Sequence, residues 1–320
     1  MASTVLILGA AGHIGQALAS AFADAGWQVR AQSRKPLPAS LTARPQVRAV
    51  RSEALDAAAL RDAAKGADVV VHALNPPYTE WDRLALPLAD AAIAAARDSG
   101  ALLILPGNVY NFGSEIPPLL RPETPEVGNS PKARIRIEIE RRMATTPGLD
   151  SVVIRAGDFF GAAVAGTWFD LALASKLGAG RFVYPGPTDV AHAWAYLPDL
   201  AQAFVRVATQ RERLRGHRRL HFGGHTATGD EMRQAFEGAV GRPLRAATLP
   251  WGLMRVMSPL VPMWRELLTM RYLWRRPHRL DDSALVALTG AVQRTPLQQA
   301  VDTALADVAA LKNPARAVAA

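Results

Sequence analysis

The sequence predicts an α/β protein, a doubly wound parallel sheet with a smaller, mostly helical C-terminal lobe. Three observations carry that expectation. Thr4–Leu8 (TVLIL) is the apolar, β-branched run of a fully buried strand, and it breaks into Gly9-Ala10-Ala11-Gly12-His13-Ile14-Gly15 ahead of a helical stretch, residues 16–25, closed by Gly26. Strands and helical stretches then alternate through the first half of the chain. After Arg155 the alternation gives way to an irregular, proline- and glycine-rich run through Pro187.

Taken in order, residues 27–32, 47–50, 68–73 (DVVVHA), 101–105 (ALLIL) and 151–155 (SVVIR) read as the second to sixth strands. Residues 57–65, 84–99 and 131–145 read as the helices between them. Residues 197–210 form a further helix after Pro198-Asp199, and 220–222 a short strand before Gly223-Gly224. From Thr228 the chain is mostly helical. The expected division is a dinucleotide-binding domain over 1–156, with 190–222 returning to it, and a substrate lobe made of 157–189 and 223–320. Residues 251–274, apolar and studded with tryptophan, are broken by Pro259 and Pro262 and read as a lobe wall over the active site. A membrane-surface helix or a homodimer face are the alternatives.

The glycine turn is where chemistry enters. A strand, a glycine turn and a helix in that order make a site for a pyrophosphate. The first glycine permits the tight turn, and the second lets backbone approach the phosphates. The third allows close helix–strand packing, and the helix start offers free N–H groups and a positive dipole end. Gly9, Ala11, Gly12, His13, Ile14 and Gly15 are the expected cofactor contacts there. At the end of the second strand an acidic residue would bond both ribose hydroxyls of NAD. Ser33, Arg34 and Lys35 stand there instead, and a small hydroxyl beside two cations suits a 2′-phosphate. The expected cofactor is NADP(H) rather than NAD(H). Ala73, Leu74 and Asn75 after the fourth strand, and Asn108 after the fifth, should line the same cleft, because ligands of such sheets sit at the carboxyl ends of the strands.

Composition narrows the remaining classes. The 320 residues hold no cysteine, so disulfides, thiolate zinc sites and a thiol nucleophile are excluded, which suits a cytoplasmic protein. With three residues ahead of the first strand, no signal peptide is expected, and no apolar run is long enough for a transmembrane segment. The net charge is +9, mostly from arginine scattered along the chain and densest over 211–219. That reads as a solvated face rather than a nucleic-acid site. Only five of the 37 basic residues are lysine, so a lysine at a site carries weight. His217, His221 and His225 straddle a strand and a Gly-Gly turn, so no metal is expected.

Several motifs together resemble the short-chain dehydrogenase/reductase superfamily, an NAD(P)-binding Rossmann group, in its extended and atypical branches. They are the GAAGHIG turn, residues 66–73 (GADVVVHA), Asn108-Val109-Tyr110, residues 155–161 (RAGDFFG) and residues 195–201 (AYLPDLA). Two of the extended branch's proton-transfer groups are replaced. Pro106 stands at the usual hydroxyl position, and no Tyr-x-x-x-Lys occurs in the chain. The helix start Lys132-Ala133-Arg134-Ile135-Arg136, with Glu140 eight residues after the lysine, resembles the lysine helix of the isoflavone reductase-like branch. There the lysine handles the proton while NADPH supplies hydride, so the resemblance implies Lys132 as the catalytic residue.

The residues themselves lend support. Ser130 suits an N-cap and Pro131 the first helical position. Lys132 then falls in the first turn, where the dipole and Arg136 one turn away both disfavour a charged ammonium and suit it to proton exchange. Tyr110, at the end of the fifth strand, is the second catalytic candidate, orienting a substrate carbonyl. His192, Trp194 and Tyr196 are candidates for the pocket wall, with a core cluster the plainer reading of Trp194. The reading is an NADP-dependent oxidoreductase moving hydride to a small organic carbonyl or conjugated double bond. A non-catalytic NADP-binding sensor and an NAD(P)-dependent epimerase or dehydratase are the alternatives.

Overall fold

Seven strands lie side by side: β1 (Thr4–Leu8), β2 (Gln28–Ser33), β3 (Val47–Arg51), β4 (Val69–His72), β5 (Leu102–Gly107), β6 (Ser151–Arg155) and β7 (His217–His221). The structure is a computed structural model that describes residues 2–312. The strand order is β7-β6-β5-β4-β1-β2-β3 and every pairing is parallel. The expected doubly wound parallel sheet is therefore present.

Side-chain alternation along the strands feeds two cores. Val5 and Ile7 of β1 face one side with α1 (His13–Asp24) and the later helix Leu197–Thr209, through Leu18, Phe22, Leu200 and Phe204. Leu6 and Leu8 face the other side, toward the helices Ala57–Ala64, Trp81–Ser99 and Pro131–Thr145. The chain builds outward from β1 to β3, then crosses back to β4 and continues to β7. The order reverses between β1 and β4, and the loops after those two strands face each other across the crevice that such a reversal opens.

From Thr228 the chain is mostly helical, as expected, and the lobe adds short strands that were not expected. Asp158–Phe160 and His192–Tyr196 pair in parallel, and His225–Ala227 adds antiparallel, while Arg181–Tyr184 pairs with Arg245–Thr248. An aromatic core of Phe160, Phe169, Phe182, Trp194, Phe236 and Trp274 fills the space between these short sheets and the lobe helices. Edge strand β7 starts three residues earlier than expected, because its His-Arg-Arg start reads as polar while only Leu220 and His221 are buried. Residues 251–274 form two helices, Trp251–Met257 and Pro262–Thr269, separated at the prolines, then the turn Arg271–Trp274. Among the described residues no helix is long and apolar enough to cross a membrane.

Candidate active site

At the carboxyl end of β1 the three glycines have separate reasons to be glycine. Gly9 has φ +84°, and a Cβ on it would lie 2.9 Å from the Ala73 carbonyl oxygen after β4. A Cβ on Gly15 would lie 2.2 Å from the Gly9 oxygen, so helix and strand could not close. Gly12 is different: a Cβ there would meet nothing nearer than 3.4 Å. The chain's own packing does not require Gly12, and the open space beside it is what an approaching pyrophosphate needs. The first helical bond runs from Gln16 N–H to Gly12 O, so the amides of His13, Ile14 and Gly15 have no acceptor within the helix. No acidic side chain occupies that first turn. The residues present fit a bound dinucleotide phosphate.

Gln32 braces the turn. Its carbonyl accepts the Gly9 and Ala10 amides, and its side chain accepts from Gly9 and donates to the Ser52 carbonyl at 2.7 Å. Next to it, buried Ser33 accepts the Lys35 amide at 3.1 Å. Arg34 reaches 3.7 Å from Glu53 with both side chains exposed. Ser33, Arg34 and Lys35 thus sit together beside the glycine turn. Ala73 is buried against it, Leu74 is half-buried and Asn75 exposed. The Asn108 side chain accepts the Tyr110 amide at 3.0 Å, so one of its two polar ends is used to hold its own turn. From the lobe, the Ala165 carbonyl accepts a hydrogen bond from His13 Nε2 at 2.9 Å, tying residues 161–167 to the glycine turn.

Lys132 sits at the start of the Pro131–Thr145 helix, where Ser130 caps by accepting the Ala133 amide at 3.2 Å. Its ammonium is buried and ion-paired with the carboxylate of Glu266, from helix Pro262–Thr269, and lies 5.1 Å from the Tyr78 ring centre. The lobe thus supplies an anion to the lysine at the helix start, a partner the sequence reading did not name. The Tyr78 hydroxyl is 2.8 Å from the Tyr110 hydroxyl. Burial pushes both phenols up, Tyr110 well above its usual range. Arg136, one turn after Lys132, stacks over Trp81 at 4.8 Å and points at the Pro106 carbonyl.

A second polar group lies opposite. His192 Nε2 is 2.7 Å from Asp158 Oδ2, while the imidazole stacks on Trp274 at 4.2 Å and packs edge-on to His278. Asn108, Tyr110, Gly157, Asp158, His192 and His278 share with Leu273 the wall of a cavity of about 20 Å³. That is room for about one water. Lys132 does not line it. Residues 251–274 close the site from above with Leu273 and Glu266. Trp194 lies in the lobe core with no cavity contact, and Tyr196 packs against Phe160.

Four of these residues had no chemical role in the sequence reading: Tyr78, Asp158, Glu266 and His278. Asp158 lies inside the RAGDFFG motif but needs His192, 34 positions later, to become a pair. Glu266 is the one carboxylate in residues 250–276, which was its signal. Glu140 has a structural task. It accepts from fully buried Arg155 together with Glu126, and anchors the Lys132 helix to β6. His217 and His221 take Ser151 and the Leu120 carbonyl as partners. Among the described residues no group of three or more side chains could hold a metal ion.

Residues 9–159 match the NAD(P)H-binding sequence family. No curated protein matches the chain. Solved structures do match nearly end to end at low identity. A structure described as a putative epimerase from Burkholderia cenocepacia is 17% identical, with a TM-score of 0.77 over 96% of this chain and 98% of that one. The Bordetella bronchiseptica enzyme WbmH in complex with NAD+ is 19% identical, with a TM-score of 0.75 over 98% and 99%. A UDP-glucose-4-epimerase from Stenotrophomonas maltophila, with bound NAD and formylated UDP-arabinopyranose, is 18% identical, with a TM-score of 0.76 over 98% and 99%. The glycine turn thus stands at the sheet's switch point, within the stretch that matches the NAD(P)H-binding family and in a fold shared with these solved structures.

Proposed function

We propose that the chain is an NADP(H)-dependent oxidoreductase that moves a hydride to a carbonyl or conjugated double bond of a small organic substrate. The observation that supports it is convergence. The glycine turn, Tyr110, Lys132 and the Asp158–His192 pair come from five separate segments to one end of the sheet. When bound, the cofactor supplies the hydride. The chain's amides at His13, Ile14 and Gly15 hold its phosphates, with Ser33, Arg34 and Lys35 at the 2′-phosphate. The Lys132 ammonium donates the proton, with Glu266 fixing its position. The Tyr110 hydroxyl, already hydrogen-bonded to Tyr78, orients the substrate oxygen. Substrate enters by displacing Leu273 from the cavity wall, since the cavity holds about one water, while Glu266 stays on Lys132.

Two other readings share the fold. An epimerase acting on a sugar nucleotide, the ligand in several of the solved relatives, is disfavoured because no Tyr-x-x-x-Lys stands at the helix start. A non-catalytic NADP-binding sensor is favoured by one observation, the closure of the site by Glu266 and Leu273. The deciding experiment screens carbonyl and enone substrates by NADPH absorbance, beside Lys132→Ala. The oxidoreductase reading expects turnover in the parent and a loss of about a hundredfold or more in the variant. Tight NADPH binding with no turnover of any substrate favours the sensor. Equal turnover by parent and variant removes Lys132 from the chemistry.

A further inference from the structure

The outer face of residues 251–276 carries a concentration of features that the active site does not use. Eight large hydrophobic residues are exposed among the described residues, and four of them fall in this short stretch. They are Leu253 (56% exposed), Val256 (74%), Leu260 (76%) and Met263 (38%). Leu253 and Val256 share the outer side of the first helix, whose Trp251 and Met254 are buried, Leu260 lies in the turn that follows, and Met263 opens the second helix. Of the arginines that flank this ridge in the sequence, Arg255, Arg265 and Arg275 are exposed, Arg271 packs over Trp251, and Arg276 pairs with Glu115 at 2.6 Å; the stretch itself holds a single acid, Glu266. That carboxylate is turned inward to Lys132. The outward surface is therefore apolar along its crest and cationic along its flanks.

We propose that this helical hairpin docks the protein on a membrane surface rich in anionic lipid, lying in the interface without crossing it. An apolar crest with arginine flanks matches acyl chains bordered by phosphate headgroups. Pro259 and Pro262 break the helix on either side of Leu260, which is 76% exposed in the turn between the two helices. A second copy of the chain is the poorer occupant, because a two-fold contact through this face sets the same arginines against one another. Docking needs neither cofactor nor substrate, so it stands or falls apart from the oxidoreductase reading.

The test is flotation of the full chain with vesicles of phosphatidylcholine, alone or with phosphatidylglycerol added. Co-flotation with the anionic vesicles is expected, weakened by added salt. The double variant Val256→Glu/Leu260→Glu should lose at least about tenfold in bound fraction at an unchanged melting temperature, since both side chains are about three-quarters exposed. Arg255→Glu/Arg275→Glu should weaken it while leaving the apolar crest intact. Equal flotation with neutral and anionic vesicles, or none with either, overturns the proposal. So does a concentration-dependent dimer that the Val256→Glu/Leu260→Glu variant dissolves, which assigns the face to a second copy.

Discussion

Lys132 and Glu266 lie 134 positions apart in the chain and form an ion pair in which the lysine is 5% and the glutamate 20% exposed. The contact joins the helix start beside the sheet to the lobe wall above it. Removing one partner of a buried pair leaves the other uncompensated, at about 3–5 kcal/mol in full burial. With Glu266 one-fifth open to solvent, Glu266→Gln should cost about 1–3 kcal/mol. Urea denaturation of Glu266→Gln, Lys132→Met and the double variant checks it. The double should cost less than the sum of the singles, and strict additivity would show that the two are not coupled.

The glycines of the turn should separate folding from binding. Gly15→Ala drives a Cβ to 2.2 Å from backbone and should lower the melting temperature by several degrees or prevent folding. Gly12→Ala meets only a 3.4 Å contact and should fold within about 1 kcal/mol of the parent, allowing for its N-cap position. It should nevertheless weaken NADPH binding at least about tenfold, because the methyl group fills the space the phosphates need. Fluorescence titration beside thermal melts reads both, and unweakened binding by Gly12→Ala would remove the turn from the cofactor site.

Cofactor choice is read at Arg34 and Lys35. Charged hydrogen bonds to a 2′-phosphate contribute about 1.5–3 kcal/mol each. Arg34→Ser/Lys35→Ser, which removes two such bonds, should therefore weaken NADP(H) at least about a hundredfold and leave NAD(H) unchanged. Competitive binding of the two cofactors to parent and variant measures it. A parent that prefers NAD(H) would count against the NADP(H) assignment outright.

Acid should loosen the fold before most carboxylates titrate. Burial holds His72 down at about 3 and His217, His221 and His278 at about 4, against an ordinary 6.5. The unfolded chain binds these protons first, so the stability these groups contribute is complete above pH 6.5. It is lost as pH falls from 6.5 toward 4, and toward 3 for His72. The urea midpoint should be flat above neutrality and fall steadily through that window. A midpoint unchanged between about pH 6.5 and pH 5 would contradict it.

The sheet was legible because its central strands are buried on both faces and so read as unbroken apolar runs, TVLIL and ALLIL above all. The turn at Gly9 was legible because close backbone approach leaves few residues able to stand there. Edge strand β7 was blurred, since it opens on polar His217, Arg218 and Arg219, which an edge tolerates. The lobe strands were hidden for a related reason: Asp158–Phe160 and Arg181–Tyr184 are too short for alternation to show. Least legible were the partners made across the chain. Nothing local to Glu266 names Lys132, and nothing near Asp158 names His192. Those pairings exist only once the lobe folds over the sheet.

The bond from His13 to the Ala165 carbonyl fastens the lobe to the same turn whose amides await phosphate. One end of that bond is the His13 side chain at the turn and the other is the Ala165 carbonyl of the lobe. Cofactor exchange should therefore require residues 161–167 to loosen. At high cofactor concentration the arrival rate should level off at the pace of that loosening, so the protein itself, rather than diffusion, keeps the time.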